Sequence, residues 1–164
     1  MNIQDLPENV GNAIQPLITR IPLENAMEQL VVTRGADAET IALVEQILAD
    51  NAVFARYPAL ASGLWLYVDA LDRSHRISQG IDDSTGSFWH GIMHRREGDF
   101  SNSHYWFRRA GLHPVMERIP DYDPHELIDA VAEGRSADRI VLRQQQREEW
   151  MHLFGWCAAN ANML

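Results

Sequence analysis

No lysine occurs in these 164 residues; all 14 basic side chains are arginine. Schiff-base chemistry and pyridoxal-phosphate attachment need a lysine amine, so both are excluded. A phosphate-binding loop ending in Gly-Lys-Ser/Thr is missing for the same reason, and no GxGxxG is present, so no nucleotide motif exists. The single cysteine, Cys157, excludes an internal disulfide and any multi-cysteine metal site. It is expected in the core, and cysteine usage fits a reducing compartment. No apolar run approaches the length of a membrane span, and the opening MNIQDLPENV lacks the basic and apolar blocks of a secretion signal, so a cytoplasmic protein is expected. Positive charge is in short supply as well. The net charge of −9 speaks against nucleic acid as the main partner, because neutralising phosphates needs a basic face.

No stretch alternates apolar and polar residues as a half-buried strand would; the periodicity is helical nearly throughout. The expectation is an all-α bundle forming a single domain over residues 1–164, with about six to eight helices. A short amphipathic segment is expected from about Asn9 to Ile18, interrupted at Pro16. Leu23 to Thr33 repeats Ala26, Met27, Leu30 and Val31 at helical spacing. Asp37 caps a helix that runs to Asn51. One helix is expected from about Leu60 to Gln79. Ser87 to Glu97 forms another, stopped by Gly98, and Asn102 to Ala110 follows under an Asp99 or Ser101 cap. Asp123-Pro124 opens a helix through Ala132, and a long C-terminal helix runs from Ala137 to about Ala158.

Chemical equipment is concentrated between Ser87 and Val115. Four of the seven histidines lie there (His90, His94, His104, His113), with Arg95, Arg96, Arg108 and Arg109 and six aromatics. On a helix His90, His94 and Glu97 project from one face, spaced i, i+4 and i+7. Two imidazoles a turn apart and a carboxylate a turn further can hold a divalent metal such as zinc, iron or manganese. The preceding helix ends near His75, which a short loop could fold back against this face. The candidate metal set is therefore His75, His90, His94 and Glu97, with Asp72 as the alternative carboxylate. His90, His94 and Glu97 are also the candidate catalytic groups, as ligands or as acid–base residues. Asp69 and Asp72 are placed to orient a histidine.

Arginine forks clamp carboxylate or phosphate and stack on aromatic rings. Arg95, Arg96, Arg108, Trp89 and Tyr105, with Asp72, are accordingly the candidate ligand-binding residues, for a small anionic or aromatic molecule. The same arginines can instead pair with Glu97, Asp99, Glu148 and Glu149. Trp150, Phe154 and Trp156 read as a core stripe, and His113 and His125, each beside a proline, as structural.

Two resemblances add to this. EGDFSNSHYWFRRA, with Gly98, Asp99, Ser103, Phe107 and Ala110 in register, resembles the centre of one tetratricopeptide or Sel1-like hairpin; no fixed period repeats along the chain. The run from Leu71 to Val115 resembles a bacterial and fungal family of small helical proteins in which WHxxxHRREGD and YWFRRxGxHP blocks recur together. That resemblance implies one coherent site built from both blocks and brings no activity with it. The expected function is binding or processing of a small molecule in a His/Arg/Trp-lined pocket, around a metal used for hydrolytic or lyase-type chemistry. The rival expectation is a helical adaptor that docks a peptide or a second copy of itself through a Trp/Arg-rich surface.

Overall fold

The computed structural model describes residues 3–134 and 138–163. Nine α-helices occur among them and no strand, so the all-α expectation holds with somewhat more, shorter helices than expected. They are α1 (Glu8–Arg20), α2 (Ala38–Asp50), α3 (Ala52–Arg56), α4 (Pro58–Tyr67), α5 (Leu71–Ser78), α6 (Ser84–Glu97), α7 (Phe100–Ala110), α8 (Pro124–Glu133) and α9 (Arg139–Ala161). No helix of the described residues is long and apolar enough to cross a membrane. The Ala137 start expected for the last helix lies outside the described residues.

The interior is organised on α4 and α6. Residues Ala59 to Tyr67 of α4 are all buried, as are Thr85 to Arg96 of α6. Neither helix has a solvated face, which is why amphipathic spacing alone described them poorly. Close approach is made possible by small residues. A side chain at Gly63 would come within 2.9 Å of both Trp89 and Phe154, and one at Gly91 within 2.7 Å of the Phe107 ring. α9 crosses beneath, where the Trp150 Nε1–H donates to the Gly63 carbonyl at 2.7 Å and the ring lies 4.8 Å from Tyr67. Trp150, Phe154 and Cys157 are buried as expected, whereas Trp156 of the same stripe is only half-buried.

Local signals fix the α6–α7 hairpin. Asp83 accepts from the Gly86 N–H at the start of α6, three residues earlier than Ser87. Gly98 turns the chain at φ +89°, a conformation that costs glycine little, and the Asp99 side chain then caps α7 by accepting from the Asn102 N–H. Asp37 caps α2 in the same way, and Asp123 caps α8.

Three segments depart from the sequence reading. α1 runs unbroken through Pro16 to Arg20. The Leu23–Thr33 segment is not a helix: only Leu23–Asn25 forms a 3-10 turn, and the rest is irregular. Its carbonyls are taken by side chains instead of by a helical ladder. Arg147 Nε–H donates to Ala26 O at 2.9 Å, Gln146 to Met27 O at 2.9 Å, and Arg96 to Gln29 O at 3.2 Å. The apolar spacing there serves packing, since Leu30 and Val31 sit against Leu127, Val131 and Leu142. Third, the expected Leu60–Gln79 helix is two helices, broken at Val68–Ala70 with Asp69 at φ +61°. Arg96 holds the break open: its Nη1 donates to Leu66 O at 2.6 Å and its Nη2 to Asp69 Oδ1 at 2.5 Å. The Leu66 carbonyl, which already accepts from the Asp69 N–H at 3.2 Å, thus gains a charged donor where the helix ends, and α5 turns toward α6.

Candidate functional site

The break after α4 brings His75 of α5 against His90 and His94 of α6. Ring centroids lie 4.7 Å apart for His75–His90, 5.5 Å for His75–His94 and 4.9 Å for His90–His94. One ring nitrogen from each falls within 4.8 Å of the others. His90 and His94 are buried and His75 is half-buried, so the group opens to solvent on the α5 side.

His90 and His94 are held by different partners. Trp106 of α7 stacks on His90 with centroids 3.9 Å apart and 7° between the planes. The Arg109 guanidinium covers the Trp106 ring at 5.1 Å, completing a His90–Trp106–Arg109 stack. His94 Nδ1–H donates to Glu97 Oε2 at 3.1 Å, which leaves Nε2 as its lone-pair nitrogen. His90 Nδ1 is buried without a hydrogen-bond partner among the described residues. A buried polar atom left unpaired is costly, and a bond to a cation would satisfy it.

The electrostatics keep His90 and His94 neutral. Burial pulls the His90 pKa down to about 4, with the neighbouring His94, His75 and Arg109 adding to the effect. Burial also lowers His94, against the opposing pull of Glu97. Neutral imidazole is the form that ligates metals. The sign for stability follows directly. Below the ordinary histidine pKa of about 6.5 the unfolded chain takes up protons that the folded His90 and His94 refuse. Stability is therefore fully present above about pH 6.5 and falls as the pH drops toward the folded His90 value of about 4. Thermal melts across that window should show the loss, and His90→Phe should flatten it; an unchanged slope in that variant would mean His90 is not held neutral by burial.

The other expected site residues divide. Glu97 lies outside the three-histidine set and acts on His94, the carboxylate–histidine arrangement that fixes which ring nitrogen is free. Asp72 is exposed and does not join the three imidazoles, nor the second group of metal-ligating types, His94, Glu97 and Asp99. Trp89, Arg95 and Arg96 are completely buried and are not brought to the imidazoles. Arg95 forks onto Glu149 through bonds of 2.8 and 2.5 Å, and Tyr122 donates its hydroxyl to the same carboxylate. Arg96 is committed to Leu66, Asp69 and Gln29. Both side chains have no exposed surface and their terminal nitrogens are taken by interior acceptors, with only the Nε atoms unpaired, so they are scaffold and the ligand-binding reading of these two arginines is corrected. Trp89 packs on Gly63 and cannot serve a surface, which also weakens the adaptor expectation. Tyr105 is exposed and meets Trp106 edge-on. Arg108 is exposed and lines a different cavity, beside His125.

Trp106 and Arg109 are the site residues that spacing did not select. The signal was present: they are three apart on α7, one face of a helix whose partner face carries Ser103 and Phe107 into α6. Also missed was a hydrogen-bonded His104–His125 pair across α7 and α8. His113 is structural as expected, bonded to Thr85 Oγ1 and to the Val115 N–H. No protein-family model, curated protein or solved structure matches the chain, so the three converging imidazoles have to be read from their own chemistry.

Proposed function

We propose that His75, His90 and His94 bind one divalent transition metal, and that the centre serves the binding or processing of a small molecule. The observation that carries this is the convergence of three ring nitrogens within 4.8 Å of one another. Zinc is bound by histidine nitrogens at about 2.0–2.1 Å, so ring rotations that draw the three nitrogens closer would close the set on one ion. Three imidazole nitrogens and no thiolate suit zinc first, then iron, with manganese favouring more oxygen. A three-histidine set leaves a coordination position for water or a ligand, and the half-buried His75 side provides the access. Such an ion, when bound, lowers the pKa of its water to about 7, which fits hydrolytic or lyase-type chemistry.

The chain's own groups divide the remaining work. Glu97 fixes the His94 ring and its tautomer. Trp106 holds the His90 plane, and Arg109 places a positive charge at the rim, suited to an anionic group on the small molecule. Arg109 also pairs with the exposed Asp82 at 3.3 Å, a contact that a bound anion can displace at little cost.

The test is elemental analysis of protein purified without chelator, followed by zinc titration of the stripped protein. One metal per chain is expected, abolished in His90→Ala/His94→Ala. Glu97→Ala should keep the stoichiometry and weaken affinity by about 10–100-fold. A folded wild-type protein that takes up no zinc, iron or manganese would end the proposal.

A further inference from the structure

A second histidine assembly lies on the opposite side of α7, away from the three imidazoles, and its hydrogen bonds dictate where its protons sit. His104 Nε2 is 3.0 Å from Asp129 Oδ1, and His104 Nδ1 is 2.7 Å from His125 Nδ1. The two rings have centroids 5.0 Å apart and only 4° between their planes. With the nitrogens so close and the centroids so far, the rings meet edge to edge in one plane, the geometry of a straight N–H···N bond.

Proton positions follow by elimination. A carboxylate only accepts, so His104 Nε2 carries a hydrogen and gives it to Asp129. Neutral His104 has no second hydrogen, so its Nδ1 accepts. His125 Nδ1 must then donate, and His125 Nε2 is left as a lone pair. Burial, reinforced by His104 and by Arg108, lowers the His125 pKa against the opposing pull of Asp123 and Asp129, consistent with a neutral resting ring. His125 lines a cavity of about 360 Å³ whose wall also includes Phe107, Arg108, Met116, Tyr122 and Asp123, the last of which accepts from the His125 and Glu126 N–H groups. That volume lies within the range of small-molecule pockets, and an apolar wall with few polar groups is what such pockets show.

We infer that Asp129, His104 and His125 form a proton relay ending at His125 Nε2, which accepts a proton from a phenol-type ligand bound in this cavity. The aromatic ring of the ligand lies among Phe107, Met116 and Tyr122. Its hydroxyl proton passes to His125 Nε2, the His125 Nδ1 hydrogen shifts to His104 Nδ1, and the positive charge comes to rest beside Asp129. The phenolate so formed pairs with Arg108. No bond to carbon is made or broken, and the charges of ligand and relay balance.

The experiment reads the relay and the ligand separately. Nitrogen-15 spectra of histidine-labelled protein, at a pH where both rings are neutral, should show His125 as the Nδ1–H tautomer and His104 as Nε2–H. Asp129→Ala should let His104 reverse and convert His125 to Nε2–H, a change that a merely structural carboxylate would not produce. 4-Nitrophenol, added where the free phenol is mostly protonated, should bind with growth of the phenolate colour. Arg108→Ala, at an exposed position, should weaken that binding on the order of tenfold, and His125→Phe should abolish the colour. Wild-type His125 found as Nε2–H would overturn the relay. Binding without colour, or no binding, would overturn the phenol-type ligand, and neither result touches the metal proposal.

Discussion

Glu149→Ala should be among the most damaging single substitutions in this chain, costing about 3–5 kcal/mol in urea unfolding monitored by tryptophan fluorescence. Arg95 and Glu149 are both completely buried, and their two bonds form a matched fork between α6 and α9. Removing the carboxylate strands a guanidinium in the core and also leaves the Tyr122 hydroxyl without its acceptor. The loss reports the stranded charge more than the worth of the pair, because desolvating both ions already offsets much of their attraction. A paired replacement, Arg95→Met with Glu149→Leu, should therefore recover most of the lost stability. If the single variant unfolds at the wild-type urea midpoint, Glu149 is not buried against Arg95 as described.

Trp89→Ala should cost a similar amount, about 3–5 kcal/mol, by a different route. The indole is fully buried and fills the space that Gly63 leaves open, with Phe154 alongside. Truncation opens a cavity between α4, α6 and α9 that backbone on three sides cannot collapse to fill. A compensating change points to the same cause: Gly63→Ala, which would clash in the wild type, should be tolerated better once Trp89 is gone. Differential scanning calorimetry of the single and double variants measures the coupling. An unchanged melting temperature in Trp89→Ala would place that ring at the surface.

Much of the fold was legible because its punctuation is local. Asp37, Asp99 and Asp123 each cap a helix through their own side chain, and Gly98 stops α6, so those boundaries needed only neighbouring residues, whereas the Asp83 cap starts α6 three residues before the expected Ser87. What escaped depended on partners far along the chain. Residues 26–29 keep helical apolar spacing yet stay irregular because Arg96, Gln146 and Arg147 take their carbonyls. The break at Asp69 is likewise held from 27 residues away. The site divides along the same line. His90 and His94 share a face by spacing alone, whereas the place of His75 required the α4–α5 break and that of Trp106 required the α6–α7 packing. Arginine composition misled because polarity was taken for surface. Arg95 and Arg96 lie inside because their forks find a carboxylate, and backbone oxygens, at full depth.

One turn of α6 places His94, Arg95 and Arg96 in sequence, aimed respectively at Glu97, at α9 and at the end of α4. Turning that helix enough to re-aim an imidazole would uproot both neighbouring guanidinium anchors at once. The three-imidazole group is consequently stiff, so a metal held there as proposed should be selected by size and preferred geometry. Exchange of such an ion should be slow, gated by movement of α5, which no buried charge among the described residues bolts to the interior.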